Sequence, residues 1–224
     1  MGFDRQGVTM ESTLINRLFD TLDNWRHLPA YQLERRADIF FALYLPEILK
    51  KRFGLDIDFI IPEFPVRIGN IYTDKLLTNP NLSFKIDYLA LCKAENKVYF
   101  IELKTDDSSR RDKQDWYLRK AKENKIPDLI NGVLDINRAT NAKKKYGNLL
   151  SLLSQIGWID IENMINTSSD YDITIVYIQP NRKADCADEV ITFVDISEYL
   201  SIHTDSLTQR FCKSLIEWTI NPNY

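Results

Sequence analysis

A mixed β-sheet with helices on both faces, class α/β (α+β), is the fold this sequence predicts. Three observations carry it. Five short apolar runs are rich in β-branched and aromatic residues, amphipathic segments of helical period surround them, and the order is helices, three strands, helices, strand, strand, helix. At 224 residues the chain suits a single domain, 1–224. Its core spans about 31–180, with an N-terminal helix (11–28) and a C-terminal strand and helix (189–220) as additions.

Leu14, Ile15, Leu18, Phe19 and Leu22 recur as one helix face over 11–28, and Pro29 breaks the chain after it. A second helix runs over 31–52, with Gly54 as its C-cap and Pro46 as a kink or join. The run FIIPEFPVRI (59–68) is extended, and Pro62 and Pro65 assign it to a sheet edge. SFKIDYLALCKA and NKVYFIELKTD form a hairpin around a polar turn at Ala94–Lys97. Helices follow over 109–124, 127–138 and 144–157, the last stopped by Gly157. DITIVYIQP and EVITFVDIS read as buried strands, and SLTQRFCKSLIEWTI as a closing amphipathic helix. Trp25, Trp158, Trp218 and the cysteines read as core.

Composition narrows the function classes. Hydrophobic residues at 44% and charged residues at 27% are the balance of a soluble globular chain. No apolar run is long enough to span a membrane. The first residues include acidic side chains and no apolar stretch of signal-peptide length, so a cytoplasmic protein is expected. Cys92, Cys186 and Cys212 are scattered, and two histidines are too few for histidine metal chemistry. The net charge of −3 argues against wholesale attraction to polyanions, but residues 104–145 hold twelve Lys/Arg against seven Asp/Glu, a balance of +5 that leaves −8 elsewhere.

The informative stretch is KVYFIELKTD (97–106). Glu102 and Lys104 interrupt the most hydrophobic strand of the chain, and side-chain alternation points both to one face. Asp87 on the preceding strand shares that face if the hairpin loop is even. With a Glu95-Asn96 turn, Asp87 lies opposite Lys104 and diagonal to Glu102, at Cβ separations of about 4.5–5.5 and 7–8 Å. Two buried carboxylates and one ammonium leave an uncompensated charge, which a divalent cation resolves. Mg²⁺ takes oxygen ligands, commonly one or two carboxylates plus waters, and with a nearby lysine this equips a site for phosphodiester hydrolysis. The alternative is an exposed edge whose Glu and Lys form an ordinary surface pair, although the flanking VYFI alternates too little for a water-facing edge.

Asp87, then Glu102-Leu103-Lys104 on the next strand, with a helix before and a helix after, resembles the PD-(D/E)xK nuclease superfamily. The resemblance covers about Tyr31–Pro180, and Ile86 stands where the proline often precedes the Asp. It implies a restriction-endonuclease-like mixed sheet flanked by helices with an αβββαβ core. It also implies Mg²⁺, or Mn²⁺ in its place, as cofactor, held by Asp87, Glu102, the Leu103 carbonyl and Glu34. Asp87, Glu102 and Lys104 are the catalytic set, and DNA is the expected partner, with RNA left open. A homodimer is compatible with a DNA-cutting enzyme, but no residue pattern supports one.

Further residues extend the site. Glu34 projects on the stripe of Ala37, Phe41, Leu45 and Ile48. It is either an extra ligand or a first-turn glutamate favoured by the helix dipole or paired with Arg35 or Arg67. Glu63 is a weaker candidate. Arg110, Arg111, Lys113 and Gln114 cluster at the start of the helix after Lys104, where a phosphate clamp is expected. Gln114-x-x-Tyr117 loosely resembles a site-holding Gln of some family branches. Lys143–Lys145 and Trp116 read as solvated and packing residues. A nuclease-fold binding or defence-associated accessory protein without turnover is the rival reading.

Overall fold

The computed structural model describes residues 10–72, 79–106, 112–182 and 187–220. It opens with two helices, α1 (Met10–Trp25) and α2 (Leu33–Phe53), followed by β1 (Phe59–Arg67) and a one-turn α3 (Ile68–Ile71). The hairpin strands β2 (Ser83–Cys92) and β3 (Lys97–Leu103) precede α4 (Asp112–Lys122), α5 (Ile126–Ala139) and α6 (Lys143–Gln155). Two minor strands, β4 (Ile159–Asp160) and β5 (Ile165–Asn166), lead into β6 (Asp172–Gln179), β7 (Glu189–Thr192), α7 (Phe193–Tyr199) and α8 (Ser206–Thr219).

Five strands form one sheet in the order β1-β2-β3-β6-β7. The first three pair antiparallel; β6 joins β3, and β7 joins β6, in parallel. The sheet is therefore mixed, and both faces are covered. One face packs Ala90, Ile101, Leu103 and Ile178 against α2, α7 and α8. The other packs Leu89, Phe100, Ile175 and Tyr177 against α4, α5 and α6. This double burial explains why β3 carries so few polar residues: a central strand covered on both sides gains from apolar side chains at every position. β7 belongs to the same sheet, so the C-terminal addition is structurally continuous with the core.

Several expectations need correction. Pro46 lies inside α2, which continues unbroken to its C-cap Gly54 at φ 72°. EVITFVDIS is a strand only as far as Thr192. There the Thr192 hydroxyl accepts from the Asp195 N–H while the Asp195 carboxylate accepts from the Thr192 N–H, a reciprocal cap that starts α7. Trp25 is half exposed, while Trp158 and Trp218 are buried. Cys92 is buried and Cys212 partly so; Cys186 lies outside the described residues. The hairpin turn is Lys93–Asn96, closed by the Asn96 N–H to the Lys93 carbonyl. Asn96 sits at φ 53°, a left-handed conformation that asparagine tolerates better than most residues. Cys92 therefore pairs with Lys97, and the register moves by two residues from the expected one.

Candidate functional site

The corrected register decides how the charged residues meet. Tyr88 pairs with Ile101, so one step further Asp87 falls level with Glu102 instead of Lys104. The even offset keeps the expected shared face. At this step the ladder stops. Asp87 has no paired residue on β3 and none on β1, where Glu63 is skipped between the Pro62–Tyr88 and Phe64–Ile86 pairs. Glu63 adopts φ 52°, which breaks the regular pleat of the edge strand opposite Asp87. Freed from a ladder position, Asp87 uses its own side chain as the partner: its Oδ2 accepts from the Leu103 N–H at 2.8 Å. The β2–β3 ladder ends here, and the acidic cluster sits at that end.

Glu102 is fully buried. Its Oε1 accepts from Lys104 Nζ at 2.6 Å and from the Gln114 side-chain amide on α4. Its other oxygen, Oε2, is buried without a hydrogen-bond donor. The carboxyl beside it, Asp87, is itself an acceptor unless one of the pair holds a proton. Lys104, also buried, lies 3.7 Å from Glu34 on α2. The helix on one face of the sheet and the helix on the other thus each send a side chain to the end of β3.

Electrostatics follow from this crowding. Burial, then repulsion from Asp87, pushes the Glu102 carboxyl well above its ordinary value, against the attraction of Lys104. Burial likewise raises Asp87, opposed by the Leu103 N–H, by Lys104 and by a hydrogen bond shared with the Glu102 carboxyl, which forms when one of the two holds a proton. Glu34 is raised by burial and by Asp87 and Asp106, with Lys104 lowering it. Burial disfavours the Lys104 ammonium, yet Glu102 and Glu34 more than offset that and its pKa rises. Among the described residues these three carboxyls share Lys104, and all three hold protons more tightly than they would in water. Such a cluster favours any added positive charge.

The remaining expected residues fall variously. Gln114 donates its side-chain amide to Glu102. Lys113 is exposed, with Nζ 5.6 Å from the Tyr117 ring. Arg110 and Arg111 lie outside the described residues. Leu103 contacts the cluster through its N–H. Glu63 is exposed beside it. Trp116 packs in a ring cluster with Tyr72 and Tyr117, and Lys143 bonds the carbonyls that end α5.

Two contributors escaped the sequence reading. Asp38, one helical turn beyond Glu34, raises Asp87, and its carbonyl accepts from the Tyr88 hydroxyl at 3.0 Å. The four-residue spacing on one helix face was the available signal. Tyr177, level with Glu102 on β6, donates to the buried Asp115 of α4 and so ties that helix to the sheet beside Gln114.

Among the described residues, no group of three or more His, Cys, Asp or Glu is arranged to hold a metal ion. Of the expected ligand set, Glu34 pairs with Lys104 at 3.7 Å. Two adjacent carboxylates with one unpartnered buried oxygen do match the donor chemistry of Mg²⁺, which commonly takes one or two carboxylates and completes its shell with water. No family model, no curated protein and no solved structure matches this chain.

Proposed function

We propose that this protein is a metal-dependent nuclease of restriction-endonuclease-like fold, related to the PD-(D/E)xK superfamily, that hydrolyses phosphodiester bonds of DNA in the cytoplasm. The observation that carries the reading is the gathering of Glu102, Asp87 and Glu34 around Lys104 where the β2–β3 ladder ends, with Glu102 fully buried and paired through Oε1 only. A buried acceptor oxygen left without a donor costs about 1–3 kcal/mol. Such a group is retained where it binds something.

Asp87 and Glu102 are the residues that would hold Mg²⁺ or Mn²⁺, which when bound would supply Lewis-acid stabilisation of charge on the scissile phosphate. Gln114 fixes the rotamer of Glu102, and the Leu103 N–H fixes that of Asp87. Lys104, cationic and held between Glu102 and Glu34, is available to a phosphate oxygen or to the attacking water. Lys113 stands at the start of α4 for the neighbouring backbone.

The test is cleavage of plasmid, linear and single-stranded DNA, and of RNA, with Mg²⁺ or Mn²⁺. Cutting is expected in the wild type, with a loss of at least about a hundredfold in Glu102→Ala and Lys104→Ala, as for removal of a group that stabilises developing charge. Equal cutting by all three proteins would refute the assignment. One observation favours the rival reading of an accessory protein without turnover: the Lys104–Glu102 contact closes the pair on itself. That reading predicts DNA binding, unaffected by either substitution, and no cleavage.

A further inference from the structure

Two and three residues beyond Gln114, which donates to Glu102, α4 contributes Trp116 and Tyr117 to a group of aromatic rings. Trp116 lies 5.0 Å from Tyr72 and 5.5 Å from Tyr117. Tyr117 in turn stacks on Phe84 of β2 at 5.1 Å, with the ring planes 11° apart. All four rings are only partly buried, at the edge of the core. Lysines alternate with them. Lys113 Nζ stands 5.6 Å from the centre of the Tyr117 ring. One residue beyond Phe84, Lys85 Nζ stands 5.5 Å from the centre of the Tyr146 ring in the first turn of α6, and 3.4 Å from its hydroxyl. Lys144 and Lys145, just before Tyr146, are exposed. Among the described residues none of these four lysines pairs with a carboxylate, whereas Lys50, Lys120, Lys122 and Lys125 each do.

Rings and unpaired ammonium groups in alternation suit one class of ligand. Phosphates are attracted to the lysines. Bases stack on aromatic faces only where they are unpaired, because in a duplex they are already stacked on one another. A duplex would therefore engage the lysines through its backbone and leave the rings unused. We propose that this track binds an unpaired nucleic-acid strand, with bases stacked on Trp116, Tyr72 and Tyr146 and phosphates at the four lysines. The track leads from the starts of α6 and β2 to Gln114, so a strand held along it arrives at Glu102. That such a strand is the substrate of the carboxyl cluster rests on the nuclease reading; the binding itself does not.

Fluorescence anisotropy with labelled oligonucleotides tests it, in EDTA so that cleavage does not intervene. The wild type should hold a single strand at least about tenfold more tightly than a duplex of the same length. Trp116→Leu and Tyr146→Leu should each weaken the single strand by at least about fivefold and leave the duplex unchanged. Because a ring substitution could disturb packing, the exposed lysines provide a second reading. Lys85→Ala and Lys113→Ala should each reduce the slope of log affinity against log salt for the single strand by about 0.7. DNA and RNA strands are titrated side by side to tell which of them the track holds. Equal affinity for strand and duplex, or ring and lysine variants that all bind as the wild type does, would overturn the proposal. Cleavage without single-strand binding would overturn it and leave the nuclease reading standing. Single-strand binding lost in the variants, with no cleavage in Mg²⁺ or Mn²⁺, would support the track and overturn the nuclease reading.

Discussion

Glu102 concentrates the cost of the site in one side chain, and its protonation gives a prediction with a definite sign. Its folded-state pKa lies above the unfolded value, as do those of Asp87 and Glu34. The favourable contribution of these carboxyls is therefore complete below the ordinary carboxylate range and is lost as the pH rises through their raised values. Glu102→Gln keeps the shape and removes the ionisation. In the metal-free protein it should raise the melting temperature by a few degrees near neutral pH, the equivalent of about 1–3 kcal/mol. The gain should shrink towards acid pH, as calorimetric scans across pH would record. A variant that melts below the wild type at every pH would show that Glu102 is held as a satisfied ion pair. Much of this residue scale was legible beforehand. Alternation along β3 and helical projection of Glu34 and Gln114 brought five side chains towards one point. The partners within the cluster were not legible, because a two-residue change in the turn, set by the left-handed Asn96, replaced Lys104 with Glu102 opposite Asp87.

Individual elements carry their own consequences. α1 is fastened to α8 through Asp23, which accepts from Arg210, Ser214 and the Trp218 indole at 2.6, 3.1 and 2.8 Å. Asp23→Ala leaves the nearly buried Arg210 with only the exposed Asp20 as its carboxylate partner. A loss of about 3 kcal/mol or more is expected in urea unfolding, since breaking a buried pair strands the remaining charge. At the start of α7, Thr192→Ala removes one half of the reciprocal cap and should cost about 0.5–2 kcal/mol by the same measurement. The end of β7 was in fact readable: Thr192-Phe193-Val194-Asp195 has the spacing of a helix-capping box. The apolar period of the preceding residues outweighed it. By contrast, Pro46 was a reasonable break signal that tertiary burial overrode, since Tyr44, Leu45, Ile48 and Leu49 all lie in the core around it. The short α3 and the β4–β5 pair are held mainly by contacts with other elements, and nothing in their local composition announces them.

At the level of the whole molecule, the mixed sheet places the ends of β2 and β3 between two helical layers, so a charged cluster forms where the β2–β3 ladder ends. Among the described residues no helix is long and apolar enough to cross a membrane. The acidic body with a basic stretch over 104–145 implies that DNA binding, if it occurs, is local and weakens steeply with salt. Binding to a fluorescent oligonucleotide should fall by about tenfold or more between low and physiological ionic strength. The central claim, that the carboxyl cluster at the end of the β2–β3 ladder captures a divalent cation, is tested most directly by calorimetric titration with Mn²⁺. The wild type should bind Mn²⁺ with release of protons, more tightly as the pH rises, and Asp87→Ala and Glu102→Gln should each abolish the heat. Binding that persists unchanged in both variants, or no binding in the wild type at any pH at which it is folded, would contradict the account.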